Sequence, residues 1–193
     1  MTTIGLLHPG EMGAAVGASG RARGHRVLWA SEGRGAETAS RAAAAGLEDA
    51  GTVAAVVGAA DVVLSVCPPH AALDVARSVA GHGFRGLYVD GNAVSPATSR
   101  EIAAIVESAG ATYVDGGIIG PPPDKAGTTR LYLSGTAADR VRALFDSSPL
   151  EAIILPGDLT SASAIKMAYA AWTKGSQAPV SYTHLTLPTI LRV

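Results

Sequence analysis

Short apolar runs alternate with longer, Ala-rich segments through most of the chain. The first run, TIGLL at 3–7, is continuous and ends at a His-Pro-Gly bend, as a strand buried on both faces would. Residues 12–23 then carry Ala, Val and Gly at helical spacing and stop at Gly24. The same rhythm predicts strands at 26–30, 61–66, 86–90 and 111–115 and helices at 36–45, 71–80 and 96–108, with a further short helix before 61. Pro96 suits the first turn of its helix, where a missing N–H costs nothing. Further on, TRLYLS at 129–134 alternates as a strand, 137–145 reads as a helix and 153–155 as a short strand. Such strands need cover on both faces, and helices between strands bring them back parallel. The pattern predicts an α/β fold, a Rossmann-type, doubly wound and mostly parallel sheet.

Near residue 158 the rhythm changes. LTSASAIKMAYAAWTKG at 159–175 has helical spacing, and no strand follows it. The expected organisation is a Rossmann domain over 1–157 and, over 158–178, the first helix of a truncated all-α domain. Residues 179–193, PVSYTHLTLPTILRV, differ in kind: Ala and Gly vanish, and Thr, Leu and Pro take over. This stretch resembles a translated sequencing-library adapter, so a non-native tail is expected, with the natural sequence continuing past Gln177. The alternative is a terminal hairpin or edge strand.

Of the 193 residues, 48% are hydrophobic and 16% charged, enough to bury a core and too apolar for a disordered chain. Aromatics are scarce, so small aliphatic side chains must build that core. Net charge is -1 with no Lys/Arg cluster, which argues against nucleic acid as a partner. No apolar run approaches the ~20 residues that span a bilayer. The N-terminus lacks a basic region before its apolar stretch, and Cys67 has no second cysteine to pair with. Both features predict a cytoplasmic protein. Cys67 and His70 flank two prolines, but no second cluster exists to complete a zinc site, so no metal is expected.

The candidate chemistry begins at the first bend. His8, Pro9, Gly10, Glu11, Met12 and Gly13 occupy the place where dinucleotide-binding chains carry G-x-G-x-x-G. Gly10 takes the second role, close approach to a pyrophosphate, and Gly13 the third, close packing of helix on strand. His8 stands where the first Gly belongs. Because it precedes proline, its backbone is expected to be extended, with a negative φ. The helix start at Glu11 to Gly13 offers free N–H groups to phosphate. A strand–turn–helix that holds no ligand is the plainer alternative.

IGLLHPGEMG resembles the IGFIGLGxMG opening of the hydroxyisobutyrate and phosphogluconate dehydrogenase superfamily, which includes the imine reductases. The resemblance runs to about residue 178. DVVLSVCPP at 61–69 is similar to the family's strand and loop over the cofactor, and YVDGNAVSP at 88–96 to VDxSTxxP. YVDGGIIGPPP at 113–123 sits at the DAPVSGG substrate loop, TRLYLSG at 129–135 at TLxIMVGG, and SASAIKMAYAAWTKG at 161–175 at the helix with the catalytic lysine. The nearest branch in these motifs is a phosphogluconate dehydrogenase-like one. Three departures stand out: Asn92-Ala93 replaces the Ser-Thr pair, Ile119-Gly120-Pro121 replaces the polar loop, and Ala170 replaces an Asn after the lysine.

The resemblance implies an enzyme that passes hydride between NADP or NAD and a small hydroxyacid-like, carbonyl or imine substrate. Lys166 is its implied proton donor or acceptor. A free lysine has a pKa of ~10.4, and the apolar helix neighbours Ala164, Ile165, Met167, Ala168 and Trp172 are expected to lower it. Lys174, two turns on, is a candidate for a substrate anion, as are Ile119 and Gly120 for substrate contact. Cys67 and Pro68 would wall the cofactor, and Asn92 would offer an amide in place of the missing hydroxyl. After the second strand, Ser31 and Arg34 favour the phosphate of NADP, while Glu32 favours the ribose of NAD. The resemblance also implies a full-length homodimer and an inactive truncated chain. The competing reading is a non-catalytic NAD(P)-binding module.

Overall fold

Thr3–Leu7 forms β1, and its continuous apolar run is buried from Ile4 onward. The structure, a computed structural model, describes the backbone of residues 1–186 and the side chains of residues 1–173. After β1 come α1 (Glu11–Ala22), β2 (Arg26–Trp29), α2 (Ala36–Ala44), β3 (Glu48–Asp49), α3 (Val53–Ala59) and β4 (Val62–Ser65). A 3-10 turn at Pro69–Ala71 leads into α4 (Ala72–Gly81), then β5 (Leu87–Asp90), α5 (Pro96–Ser108) and β6 (Thr112–Ile119). The remainder is β7 (Thr129–Ser134), α6 (Ala138–Leu144), β8 (Leu150–Ile154) and α7 (Ser161–Thr186).

The eight strands form one sheet in the order β3-β2-β1-β4-β5-β6-β7-β8. All pairings are parallel except β6 with β7, so the fold is the α/β, doubly wound, mostly parallel one the sequence predicts. Every residue of β4 and β5 is buried, as strands covered by helices on both faces require. The two-residue period divides them between two cores. Leu6, Leu64 and Val89 face one with Val16 of α1, whereas Leu7, Val63 and Tyr88 face the other with Val75 of α4 and Ile102 of α5.

Three elements differ from the sequence reading. β3 was not foreseen: it is two exposed residues with no apolar run to signal it, held by pairing with β2. β6 extends to Ile119 through two buried glycines, where a Gly-rich stretch reads as a loop. α7 continues to Thr186, so residues 179–186 are helical backbone; residues 187–193, the rest of the expected tail, lie outside the described residues.

The start of α7 packs on the sheet. A Cβ built on Gly117 would lie 2.8 Å from the Ala162 carbonyl oxygen and 3.1 Å from Lys166 Cβ, so the bare glycine lets the helix lie against β6.

Candidate cofactor and active site

Parallel pairing brings the carboxyl ends of the strands to one edge. Leu7 is in register with Ser65, Ser65 with Asp90, and Asp90 with Asp115. The sheet order reverses between β1 and β4, and in open α/β sheets ligands bind outside the carboxyl ends at that switch point. Residues far apart in sequence, His8, Cys67 and Asn92, therefore follow adjacent strands, and Ile119 ends the next one.

The bend after β1 is tight. The Gly10 N–H donates to the His8 carbonyl at 2.8 Å, and Ala14 makes the first helical bond, to Gly10, at 2.8 Å. The N–H groups of Glu11, Met12 and Gly13 precede that bond, and no side chain caps them. Gly10 and Glu11 are exposed while Pro9 and Gly13 are buried. A Cβ on Gly13 would lie 2.5 Å from the His8 carbonyl oxygen, so only glycine lets α1 start this close to the bend. A Cβ on Gly10 would meet nothing within 4 Å, which leaves an open cradle beside the free amides. These amides and the uncovered Gly10 fit a pyrophosphate.

His8 corrects the sequence reading: its φ is +68°, in the left-handed region, and its backbone is not extended. The bend imposes the conformation that the first glycine of such fingerprints supplies, and the preference of a residue before proline yields to it. Its Nε2 lies 2.7 Å from Arg34 Nη2. Burial, and next the Arg34 charge, bring the imidazole pKa down to about 4. Both residues line a cavity of about 240 Å³ walled by Leu7, Ala30, Val53 and Val75.

On the β2–α2 loop, Arg34 is exposed and Ser31 half-buried. The Asp49 carboxylate accepts from the Gly51 N–H at 2.8 Å, and this bond holds its pKa below the usual range. The Glu32 N–H donates to the Gly51 carbonyl at 2.9 Å, which ties this loop to the segment after β3.

Asn92 is placed differently from the expectation. It is 2% exposed. Its Oδ1 accepts from the Cys67 N–H at 2.6 Å, and its amide donates to Ser65 Oγ at 3.0 Å and to Asp90. The amide is consumed inside the protein, where it fixes the Cys67-Pro68 loop. Cys67 is half-buried with Sγ 3.7 Å from Ser65 Oγ, and burial pushes its thiol pKa up; Pro68 is exposed.

Beneath these loops lie two carboxyls not picked out in the sequence. Asp90 is fully buried, and burial raises its pKa to about 7. Its Oδ1 accepts from the Asn92 N–H at 3.0 Å, while Oδ2 has no partner. Asp115, equally buried, accepts from Ser163 N–H at 2.7 Å, Ser163 Oγ at 2.6 Å, Ser99 Oγ at 2.9 Å and Ser134 Oγ at 3.3 Å. It thereby caps the first turn of α7. Each Asp ends a YVD run, which reads in sequence as a strand end and not as a buried acid; Asp90 does close β5, whereas β6 runs on past Asp115 to Ile119.

Lys166 stands one turn beyond Ser163. It is half-buried, and its Nζ donates to the Ile118 carbonyl of β6 at 2.5 Å. Ile119 is half-buried and Gly120 exposed beside it. The expected apolar wrapping is absent among the described residues: Ala164 and Ala168 are exposed, and Ile165, Tyr169 and Trp172 are 36%, 45% and 76% exposed. Successive helix positions point in different directions, so apolar neighbours in sequence need not shield one lysine. The Lys174 side chain lies outside the described residues. Among the described residues, no three His, Cys, Asp or Glu side chains cluster as a metal site would need. Nor is any helix there long and apolar enough to cross a membrane.

A parallel sheet reversing at β1/β4, with an uncapped helix start over the switch point and a cation after β2, defines a dinucleotide-binding domain. The chain belongs to the family of the NAD binding domain of 6-phosphogluconate dehydrogenase, whose model matches residues 2–147. Its cofactor class is therefore a nicotinamide dinucleotide. Among solved structures, a conserved protein of unknown function with structural similarity to 3-hydroxyacid dehydrogenases is 31% identical, with a TM-score of 0.80 over 94% of this chain and 68% of that one. The Mycobacterium tuberculosis 3-hydroxyisobutyrate dehydrogenase, solved with L-serine, shares the fold at 24% identity and a TM-score of 0.80, over 98% of this chain and 66% of that one. An uncharacterised 28.5 kDa protein of Methanothermus fervidus is 33% identical over 115 residues, which is 59% of this chain and 43% of that relative.

Proposed function

We propose that this chain is the cofactor domain of an NADP-dependent oxidoreductase acting on a small hydroxyacid-like, or related carbonyl or imine, substrate. The observation that carries the reading is the open, uncapped start of α1 beside Gly10, at the sheet's switch point. The Glu11 to Gly13 amides bind the diphosphate, and Arg34 reads the ribose phosphate. The apolar walls of the His8–Arg34 cavity receive the adenosine half. Cys67 and Pro68, fixed by Asn92, cover the other half. When bound, the nicotinamide supplies the hydride acceptor or donor. Lys166, set by Ile118 at the edge of β6, holds the proton exchanged with the substrate oxygen or nitrogen, and Ile119 and Gly120 border the substrate.

The domain boundary falls at 157/158. The exposed Ile165–Tyr169–Trp172 face of α7 is where a helical domain packs, and the assembled protein is a cytoplasmic homodimer. One observation favours a cofactor-binding module without turnover: the Asn92 amide is turned inward, and Ala93 offers no hydroxyl. A single comparison separates the readings. In the protein carrying its helical domain, Lys166→Ala should cut turnover on a panel of hydroxyacids, aldehydes and imines by ~100-fold or more while cofactor binding persists. Unchanged turnover would remove Lys166 from the chemistry, and a parent inactive on the whole panel yet able to bind cofactor would favour the module.

A further inference from the structure

We infer that His8 is the cofactor-specificity residue: its ring holds the Arg34 guanidinium at the ribose end of the cavity, so that the chain selects the dinucleotide bearing a ribose 2′-phosphate over the one with a free hydroxyl. This rests on the cofactor-domain reading and deepens it.

The argument starts from strain. His8 sits at φ +68°, a conformation that glycine adopts freely and a histidine rarely does. A strained residue at a ligand loop persists where its side chain has a use. The ring shows one. A guanidinium has no acceptor, so the contact at 2.7 Å requires Nε2 to accept from Arg34 Nη2, and the ring proton then sits on Nδ1. Nδ1 is buried without a partner. The imidazole thus leaves a buried donor unsatisfied in order to keep its acceptor on Arg34. Its depressed basicity keeps that acceptor available at neutral pH.

The charges around the pair point the same way. Arg41, which reaches toward the Pro9 carbonyl from α2, is neutralised by Glu37 at 2.7 Å. Asp74 of α4, on the cavity wall, is paired with Arg77 at 3.1 Å. Asp49 is engaged by the Gly51 N–H at 2.8 Å. Among the described residues no carboxylate is in ion-pair contact with Arg34. Its charge is therefore oriented by a neutral group and left available to a phosphate. Glu32, two residues before Arg34, is the group that would oppose this choice.

The test is a fluorescence titration of this chain with NADPH and with NADH at neutral pH, on the parent, His8→Gly, Arg34→Gln and the double variant. Glycine suits the bend, so His8→Gly should fold. The parent should bind NADPH at least about tenfold more tightly than NADH, the difference a set of charge-assisted phosphate bonds makes. His8→Gly should lose most of that preference, NADPH binding weakening at least about fivefold more than NADH binding. The double variant should lose little more than Arg34→Gln alone, because His8 acts through Arg34. An unchanged NADPH/NADH ratio in His8→Gly or additive losses in the double variant would overturn the inference while leaving the cofactor-domain reading intact; a parent that prefers NADH would overturn it together with the NADP dependence proposed above, leaving only a dinucleotide-binding domain. A parent that binds neither cofactor would sink both.

Discussion

Asp90 carries the clearest pH signature of any single residue. Its folded-state pKa of about 7 lies above the unfolded value, so the folded state binds the extra proton. The stability this contributes is complete below the unfolded carboxylate pKa and is lost as pH rises toward about 7. Asparagine keeps an oxygen for the Asn92 N–H and places a neutral NH2 where Oδ2 has no partner. The melting temperature of Asp90→Asn relative to the parent should therefore climb from pH 4 to neutrality and level off above it. A flat difference across that range, in thermal scans, would show that Asp90 is not buried as an acid. At this scale the sequence was least legible. The close packing that Gly13 permits could be read from spacing. The positive φ of His8 could not, because the rule for residues before proline points the other way and only the closed bend overrides it.

At the scale of elements, the junction between β6 and α7 decides where Lys166 sits. Two devices hold it: the bare Gly117, and Asp115 gathering the Ser163 N–H with three serine hydroxyls. Removing the carboxylate strands several buried donors at once. Asp115→Ala should cost about 3 kcal/mol or more of stability in denaturant unfolding. Ser163→Ala removes one hydroxyl and should cost about 1 kcal/mol. Equal losses from the two would mean that Asp115 is not the hub. Most strands and helices were legible because their apolar periodicity is uninterrupted. The exceptions share a cause: β3 has no apolar run, and the end of β6 has glycines where side chains would signal a strand, so tertiary pairing alone defines them.

For the whole molecule, the topology follows from alternating strands and helices, and the switch point from the order in which they return. The sequence did not show which face of α7 lies open, since Ala, Ile, Tyr and Trp are spread around the helix and only packing on β6 selects the buried side. The outcome is an apolar strip of Ile165, Tyr169 and Trp172, of which Trp172 is 76% exposed. Such a strip drives association. In sedimentation, Tyr169→Glu combined with Trp172→Glu should shift this chain toward monomer, and an unchanged distribution would place its contacts elsewhere.

The most direct measurement of the central claim, that a nicotinamide dinucleotide lies on the amides at the start of α1, is NADPH titration of the parent and Gly10→Val alongside their melting temperatures. Gly10 has a backbone that any residue can adopt and open space where a side chain would go, so valine should leave stability unchanged while filling the cradle. The expected result is a Kd weakened by ~100-fold, about 2–3 kcal/mol of lost phosphate bonding, at an unaltered melting temperature. Gly10→Val binding NADPH as tightly as the parent would contradict the account.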